Sequence, residues 1–188
     1  RAYTRAGQWI YLDWMDSPTV SFTNRLTIAA GAQLDISNLG IVGVGGVLEN
    51  FGTIRVASNG RQSNGDNIAG GLTGSGQVLN YGTLEVYDAP QAGDNLQVEA
   101  KLLTNIRVPA GGRLVIGTNA TAGFRNGQEL RLGGQMEIQS GGLLQFTSGR
   151  LALEEGVRLE GAGWLYMGDR LVVEGNATIA CPVYALGN

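Results

Sequence analysis

Along most of the chain, apolar residues alternate with polar ones in short bursts. Leu26-Thr-Ile28, Leu34-Asp-Ile36, Ile54-Arg-Val56, Leu84-Glu-Val86 and Ile106-Arg-Val108 open the series. Leu114-Val-Ile116, Leu130-Arg-Leu132, Met136-Glu-Ile138, Leu144-Gln-Phe146 and Leu151-Ala-Leu153 continue it. Val157-Arg-Leu159, Leu165-Tyr-Met167, Leu171-Val-Val173 and Ala177-Thr-Ile179 close it. A period of two belongs to strands with one buried face. No window of helical length carries a period of 3.6.

The spacing says how these strands connect. After Leu130 the first apolar positions fall at 136, 144, 151, 157, 165, 171 and 177. Such steps are too short for hairpins, which need a turn signal between longer strands. Leu130, Leu151 and Leu171 instead mark a three-strand cycle of about 20–21 residues. One repeat is explicit: Leu48-Glu-Asn-Phe-Gly-Thr-Ile-Arg-Val56 matches Val78-Leu-Asn-Tyr-Gly-Thr-Leu-Glu-Val86. The fold expected is all-β, a single-stranded parallel β-helix (β-solenoid) with about 20–30 residues per three-strand coil.

Stacking the repeats predicts three apolar rows. The first holds Leu48, Val78, Ile106, Leu130, Leu151 and Leu171. A second holds Ile54, Leu84, Leu114, Met136, Val157 and Ala177, and a third holds Leu72, Leu96, Phe124, Leu144 and Leu165. Outward on the second face, Arg55 is expected beside Glu85 and Glu137 beside Arg158. Asn50 and Asn80 form either an amide ladder or a turn. Two regions are expected: an N-terminal aromatic cap or intersubunit segment over residues 1–24, and the β-solenoid over 25–188. Within the first, Trp9, Tyr11 and Trp14 are the candidate intersubunit contacts. Residues 57–71 and 87–95 read as polar insertions.

Composition then narrows the chemistry. Glycine supplies 31 of 188 residues, roughly twice its usual share, as tight stacked turns require. Histidine is absent, which removes Ser-His-Asp and Cys-His nucleophile pairs and His-metal sites. The single cysteine, Cys181, allows no internal disulfide or Cys-only metal centre. Net charge is −3 with Lys101 the one lysine, unlike a general nucleic-acid binder. No run of 18 apolar residues suggests a transmembrane helix. An N-terminal Arg points to a processed chain or an excised fragment.

Metal ligation by Asn64, Asp66 and Asn67 lacks the spacing of known calcium loops. Carboxylate pairs at Asp88 with Asp94, Glu154 with Glu155 and Asp13 with Asp16 are scattered, so no enzyme, no cofactor and no metal is expected. Asn119-Ala-Thr121 and Asn176-Ala-Thr178 fit the N-glycosylation acceptor pattern, which makes Asn119 and Asn176 candidate glycosylation sites.

Asn50-Phe-Gly-Thr-Ile54, Asn80-Tyr-Gly-Thr-Leu84 and Leu72-Thr-Gly-Ser-Gly-Gln-Val78 resemble repeats of bacterial surface β-helices. Those are the autotransporter passenger domains and filamentous-haemagglutinin-type adhesins. The resemblance spans residues 25–180. It implies a right-handed coil and a secreted or cell-surface location with an adhesive or scaffolding role. The chain is short for a passenger and carries no membrane β-barrel segment. The function expected is a non-enzymatic extracellular subunit assembling head to tail into a filament or adhesive scaffold. Its partners would be copies of itself, with glycans or cell surfaces beyond. The alternative is a carbohydrate-binding or polysaccharide-cleaving β-helix, its groove formed by Tyr87 and Tyr166 beside Asp88 and Asp169.

Overall fold

A computed structural model describes residues 2–3, 8–12, 19–37, 40–58, 70–88 and 99–185. Among them there are 22 strands and no helix, so no helix is long and apolar enough to cross a membrane. Every strand pairing is parallel. The strands form a 14-stranded and an 8-stranded sheet. The arrangement is all-β and compatible with a parallel β-helix.

Three columns of strands run through these sheets. The first contains β1 (Ala2–Tyr3), β4 (Arg25–Ile28), β7 (Val47–Asn50), β14 (Glu129–Leu132), β17 (Arg150–Leu153) and β20 (Arg170–Val173). The second is the 8-stranded sheet: β2 (Trp9–Leu12), β5 (Gln33–Ile36), β8 (Thr53–Ser58), β10 (Thr83–Asp88), β12 (Arg113–Ile116), β15 (Gln135–Ile138), β18 (Arg158–Glu160) and β21 (Thr178–Ala180). The third contains β3 (Thr19–Phe22), β6 (Ile41–Val44), β13 (Thr121–Phe124), β16 (Leu143–Phe146), β19 (Trp164–Met167) and β22 (Val183–Ala185).

Two long strands join the third column to the first. β9 (Gly71–Asn80) pairs with β6 through its first residues and with β7 through its last. β11 (Ala100–Val108) does the same with β13 and β14. The chain therefore visits the columns in the order first, second, third, and then repeats. The described strands within residues 1–24 extend each column by one strand. The described strands of this segment thus follow the same backbone plan although it lacks the apolar alternation.

Apolar alternation builds the interior. Leu48, Val78, Ile106, Leu130 and Leu151 follow one another in register and are at most 1 % exposed. The sequence-derived first row is reproduced through to Leu171. In the second row Ile54, Leu84, Leu114 and Met136 align as expected. The next partners are Leu159 and Ile179, not Val157 and Ala177, a slip of two residues. Val157 is buried too, but in the turn before the strand.

The third row is also displaced. Leu72 pairs with Leu102, Phe124 with Phe146, and Leu144 lies between Ala122 and Leu165. Leu96 lies outside the described residues. Phe124 and Phe146 stack with ring centroids 4.9 Å apart.

Asn50 and Asn80 are both ladder and turn. Asn50 Nδ2 donates to Asn80 Oδ1 at 2.6 Å and to the Thr83 carbonyl at 2.9 Å. Asn50 Oδ1 accepts from the Gly52 N–H at 3.0 Å, and Asn80 Nδ2 donates to the Arg113 carbonyl at 2.8 Å. Both side chains are fully buried. An unpaired amide there would be costly, so this network fixes the two turns in phase.

Candidate functional site

The final cycle, β20 to β22, is where the buried rows come to the surface. Each of these strands pairs on one side only, leaving a row of backbone donors and acceptors on the other. The apolar rows continue into it, where no described residue covers them. Leu151 is 0 % exposed and its neighbour Leu171 is 37 %. Leu153 is 0 % and Val173 is 49 %, while Leu165 is 0 % and Val183 is 43 %. Ile179 and Ala177 stay partly covered by the core. Cys181 is buried beside them, and burial pushes its thiol above the ordinary cysteine range. Such a thiol is a poor nucleophile at neutral pH.

Aromatic side chains flank this edge on the third column. Tyr166 and Tyr184 are register partners whose rings stack at 5.6 Å. Trp164 is exposed two residues before Tyr166. No alternation signal could have marked these positions as an edge, because the apolar pattern runs on unchanged to Ile179.

At the opposite edge, β1, β2 and β3 also pair on one side only. Trp9 and Tyr11 lie on β2, in register with Gln33 and Asp35. Trp14 lies outside the described residues. Trp9 and Tyr11 therefore lie on strands at the end of the columns where Val20 is exposed, and Leu171, Val173 and Val183 lie at the other.

The remaining predicted positions are dispersed. Asn119 sits in the turn between β12 and β13, with a φ of 57° and an exposed side chain. Asn176 is exposed in the turn before β21, its Nδ2 donating to Glu155 Oε1 at 3.5 Å. Tyr87 and Tyr166 do not share a groove, since Tyr87 lies on β10 in the second column and Tyr166 on β19 in the third. The Tyr87 hydroxyl donates to Asp35 at 3.0 Å, and the Arg55 guanidinium stands 4.2 Å over its ring. Asp94, Asp13, Asp16 and the Asn64–Asp66–Asn67 cluster lie outside the described residues. Among the described residues no group of three His, Cys, Asp or Glu side chains could hold a metal ion.

Outer charges are organised as ion pairs across cycles. Arg55 Nε donates to Glu85 at 2.9 Å, as the register predicts. Burial pulls the Arg55 guanidinium down, but the hydrogen bond and charge of Glu85, with Asp35 and Tyr87, outweigh it and raise it overall. Glu137 does not meet Arg158. The two-residue slip places Glu137 opposite Glu160, and Glu137 pairs instead with Arg113, one cycle earlier. Arg158 turns to Glu160 at 2.7 Å.

On the first column, Arg131 holds Glu174 with two bonds of 2.8 and 3.1 Å and Glu129 with one of 3.0 Å. Glu154 bonds Arg107 at 3.1 Å while Glu155 faces Asn176, so this carboxylate pair diverges. Exposed pairs of this kind contribute at most about 1 kcal/mol each. They fix register more than they stabilise. Compared with family models, with curated proteins and with solved structures, the chain matches none.

Proposed function

We propose that the chain is a right-handed parallel β-helix that serves as a non-enzymatic structural subunit. It belongs outside the cell, in the manner of the bacterial surface β-helices that its repeats resemble, and assembles head to tail into a filament or scaffold. The observation that carries this reading is the exposure of apolar residues in the last described cycle. Leu171, Val173 and Val183 continue rows that are fully buried one cycle earlier. Exposed apolar residues beside unpaired strand edges favour strand addition. The two ends of a parallel stack are different surfaces. Contact between unlike ends does not close into a ring unless the rotation returns, so it propagates. The non-enzymatic part rests on composition: no histidine, one lysine and scattered acids.

The test is assembly. Light scattering over a concentration series, with negative-stain microscopy, should show rods that lengthen with concentration. Val173→Asp buries a charge in any such contact and should return the protein to monomers. A wild-type chain that stays monomeric at every concentration, or rods indifferent to Val173→Asp, would remove the proposal.

A further inference from the structure

We infer that a notch in the middle of the stack, on the outer side of β11, binds one residue of a neutral glycan. The inference goes beyond the assembly reading and does not depend on it. Every side chain that lines the notch is described, and none lies in the first or last cycle.

The backbone makes the notch. Between the third column and the first, β9 takes six residues, 72–77, to pass from Gly71 to Val78. The cycle after β11 also takes six, 124–129, from Gly123 to Leu130. β11 is in register with both at Lys101 and Ile106, yet it takes only four, 102–105. A longer path between the same two points must bow away from a shorter one, so β11 is recessed between two bows. On one side Gly74-Ser75-Gly76 absorb the surplus where the register shifts, and Thr104 Oγ1 donates to the Gly76 carbonyl at 3.0 Å. On the other side the surplus forms the Arg125–Gln128 turn. Asn126 and Gly127 are left-handed there, with φ of 57° and 77°, and Gln128 N–H donates to the Arg125 carbonyl at 3.3 Å.

The space left over is a cavity of about 490 Å³, within the range of small-molecule sites. Gln77 lines it from β9, Asn105 and Arg107 from β11, and Gly127, Glu129 and Arg131 from the cycle after. Its hydrogen-bonding capacity is not used up by the fold. The Gln77 amide is exposed and has no partner among the described residues. Asn105 Oδ1 accepts from the Glu129 N–H at 3.0 Å, which leaves its Nδ2 for a ligand. Arg107 gives one nitrogen, Nη2, to Glu154 at 3.1 Å.

Charge balance selects the ligand. Arg107 is matched by Glu154, Arg131 by Glu129 and Glu174, and Arg150 by Glu129. Three guanidinium groups thus face three carboxylates, and an anion would find no uncompensated cation. No aromatic ring lines the cavity, so nothing offers a stacking platform to a nucleobase. Free amides do suit hydroxyls. A side-chain amide both donates and accepts, as a hydroxyl does, and a neutral sugar presents several hydroxyls on one rigid ring.

Saturation-transfer NMR on the full chain tests this, with cellotetraose, maltotetraose and chitotetraose as neutral probes and oligogalacturonate as the acidic one. At least one neutral probe should receive saturation, and oligogalacturonate should not. Gln77→Ala removes an amide that the fold does not use. Asn105→Asp keeps the oxygen that accepts from Glu129 and removes the free donor. Each should weaken the neutral probe about fivefold, as the loss of one hydrogen bond does. Gln135→Ala, an exposed amide on the second column, should bind as wild type does. Silence from all neutral probes, binding of oligogalacturonate alone, or affinity indifferent to both notch variants would each overturn the inference. Val173→Asp, which addresses assembly, should leave probe binding unchanged. Loss of binding in that variant would place the sugar between subunits and overturn the notch as its site, while monomers that still bind would sink the assembly reading alone if wild type is monomeric too.

Discussion

The corner between the first and second columns is made in two ways, and the two teach what sets the phase of the whole stack. After β7, β9 and β14 the chain turns in two residues: Phe51-Gly52, Tyr81-Gly82 and Gly133-Gly134. After β4, β11, β17 and β20 it takes four, as in Ala29–Ala32, Pro109–Gly112 and Glu154–Val157. Both deliver the next apolar residue to the same inner row. In the short corner, the N–H groups of Tyr81 and Gly82 both donate to the Asn50 carbonyl at 2.8 Å, so the backbone is pressed against the cycle before it. The long corner bulges outward and closes on itself, with Gly112 N–H donating to the Pro109 carbonyl at 2.9 Å. The short corner demands closeness alone, whereas the long one adds a left-handed residue, Gly111, to the close approach of Gly112.

The largest predicted effect separates these two demands. A Cβ on Gly82 would stand 2.1 Å from the Gly52 carbonyl oxygen, a backbone atom that has nowhere to retreat. Gly82→Ala should therefore cost about 3 kcal/mol or more. Gly111 has a φ of +89° and nothing within 4 Å of an added Cβ. Gly111→Ala meets only conformational strain and should cost about 1 kcal/mol. Urea denaturation of the two variants measures both. Equal losses would mean that the corners do not differ as their geometry says.

The same distinction explains which parts of the fold were legible in the sequence. The first column could be aligned from Leu48 to Leu171 because each strand offers one aliphatic residue followed two positions on by an asparagine or another aliphatic, a pattern with one reading. The second column was aligned correctly at Ile54, Leu84 and Met136, which follow short corners, and at Leu114, which follows a four-residue one. It slipped at Val157, because Val157-Arg-Leu159 offers two apolar positions and the four-residue corner Glu154–Val157 consumes the first. Gly156, with a φ of +79°, is the local signal of that longer corner. The displaced pairing of Glu137 follows from the same slip. Legibility failed differently at the open edge. Exposure of Leu171 and Val173 depends on what stacks above them, and nothing in their own alternation encodes it.

A second, smaller effect probes why two of the short corners carry Asn. Asn50 and Asn80 precede them, while Leu132 precedes the third, which is made of two glycines. A corner can thus close without an amide, and the asparagines matter through the groups they satisfy. Asn80→Ala would leave the Arg113 carbonyl and one Asn50 amide proton without their partners in the buried ladder. The expected loss is about 2 kcal/mol. The double variant Asn50→Ala with Asn80→Ala should lose less than the sum of the single changes, since it removes the orphaned amide as well. Strict additivity in denaturation midpoints would show that the two side chains act alone.

The smallest effect belongs to the acids that only the long corners accommodate. Short corners begin with Phe51, Tyr81 or Gly133, whereas two long ones begin with Glu154 and Glu174. Glu174 is gripped by the Arg131 guanidinium through two hydrogen bonds, and these, against an opposing desolvation and with the charge of Arg131 and then Arg150, hold its carboxyl below the usual glutamate range. A carboxylate whose folded value lies below the unfolded one, about 4.3, stabilises the fold fully above that pH. Its contribution disappears as pH falls from there through the lower folded value. Melting midpoints of wild type and Glu174→Gln should therefore differ slightly at neutral pH, with wild type higher, and converge in acid. The gap should also narrow with added salt, because the pair is exposed and screened. A gap that persists below the folded value would mean that the substituted amide disturbs the corner itself, and that the length of this turn, more than its charge, holds β21 in phase.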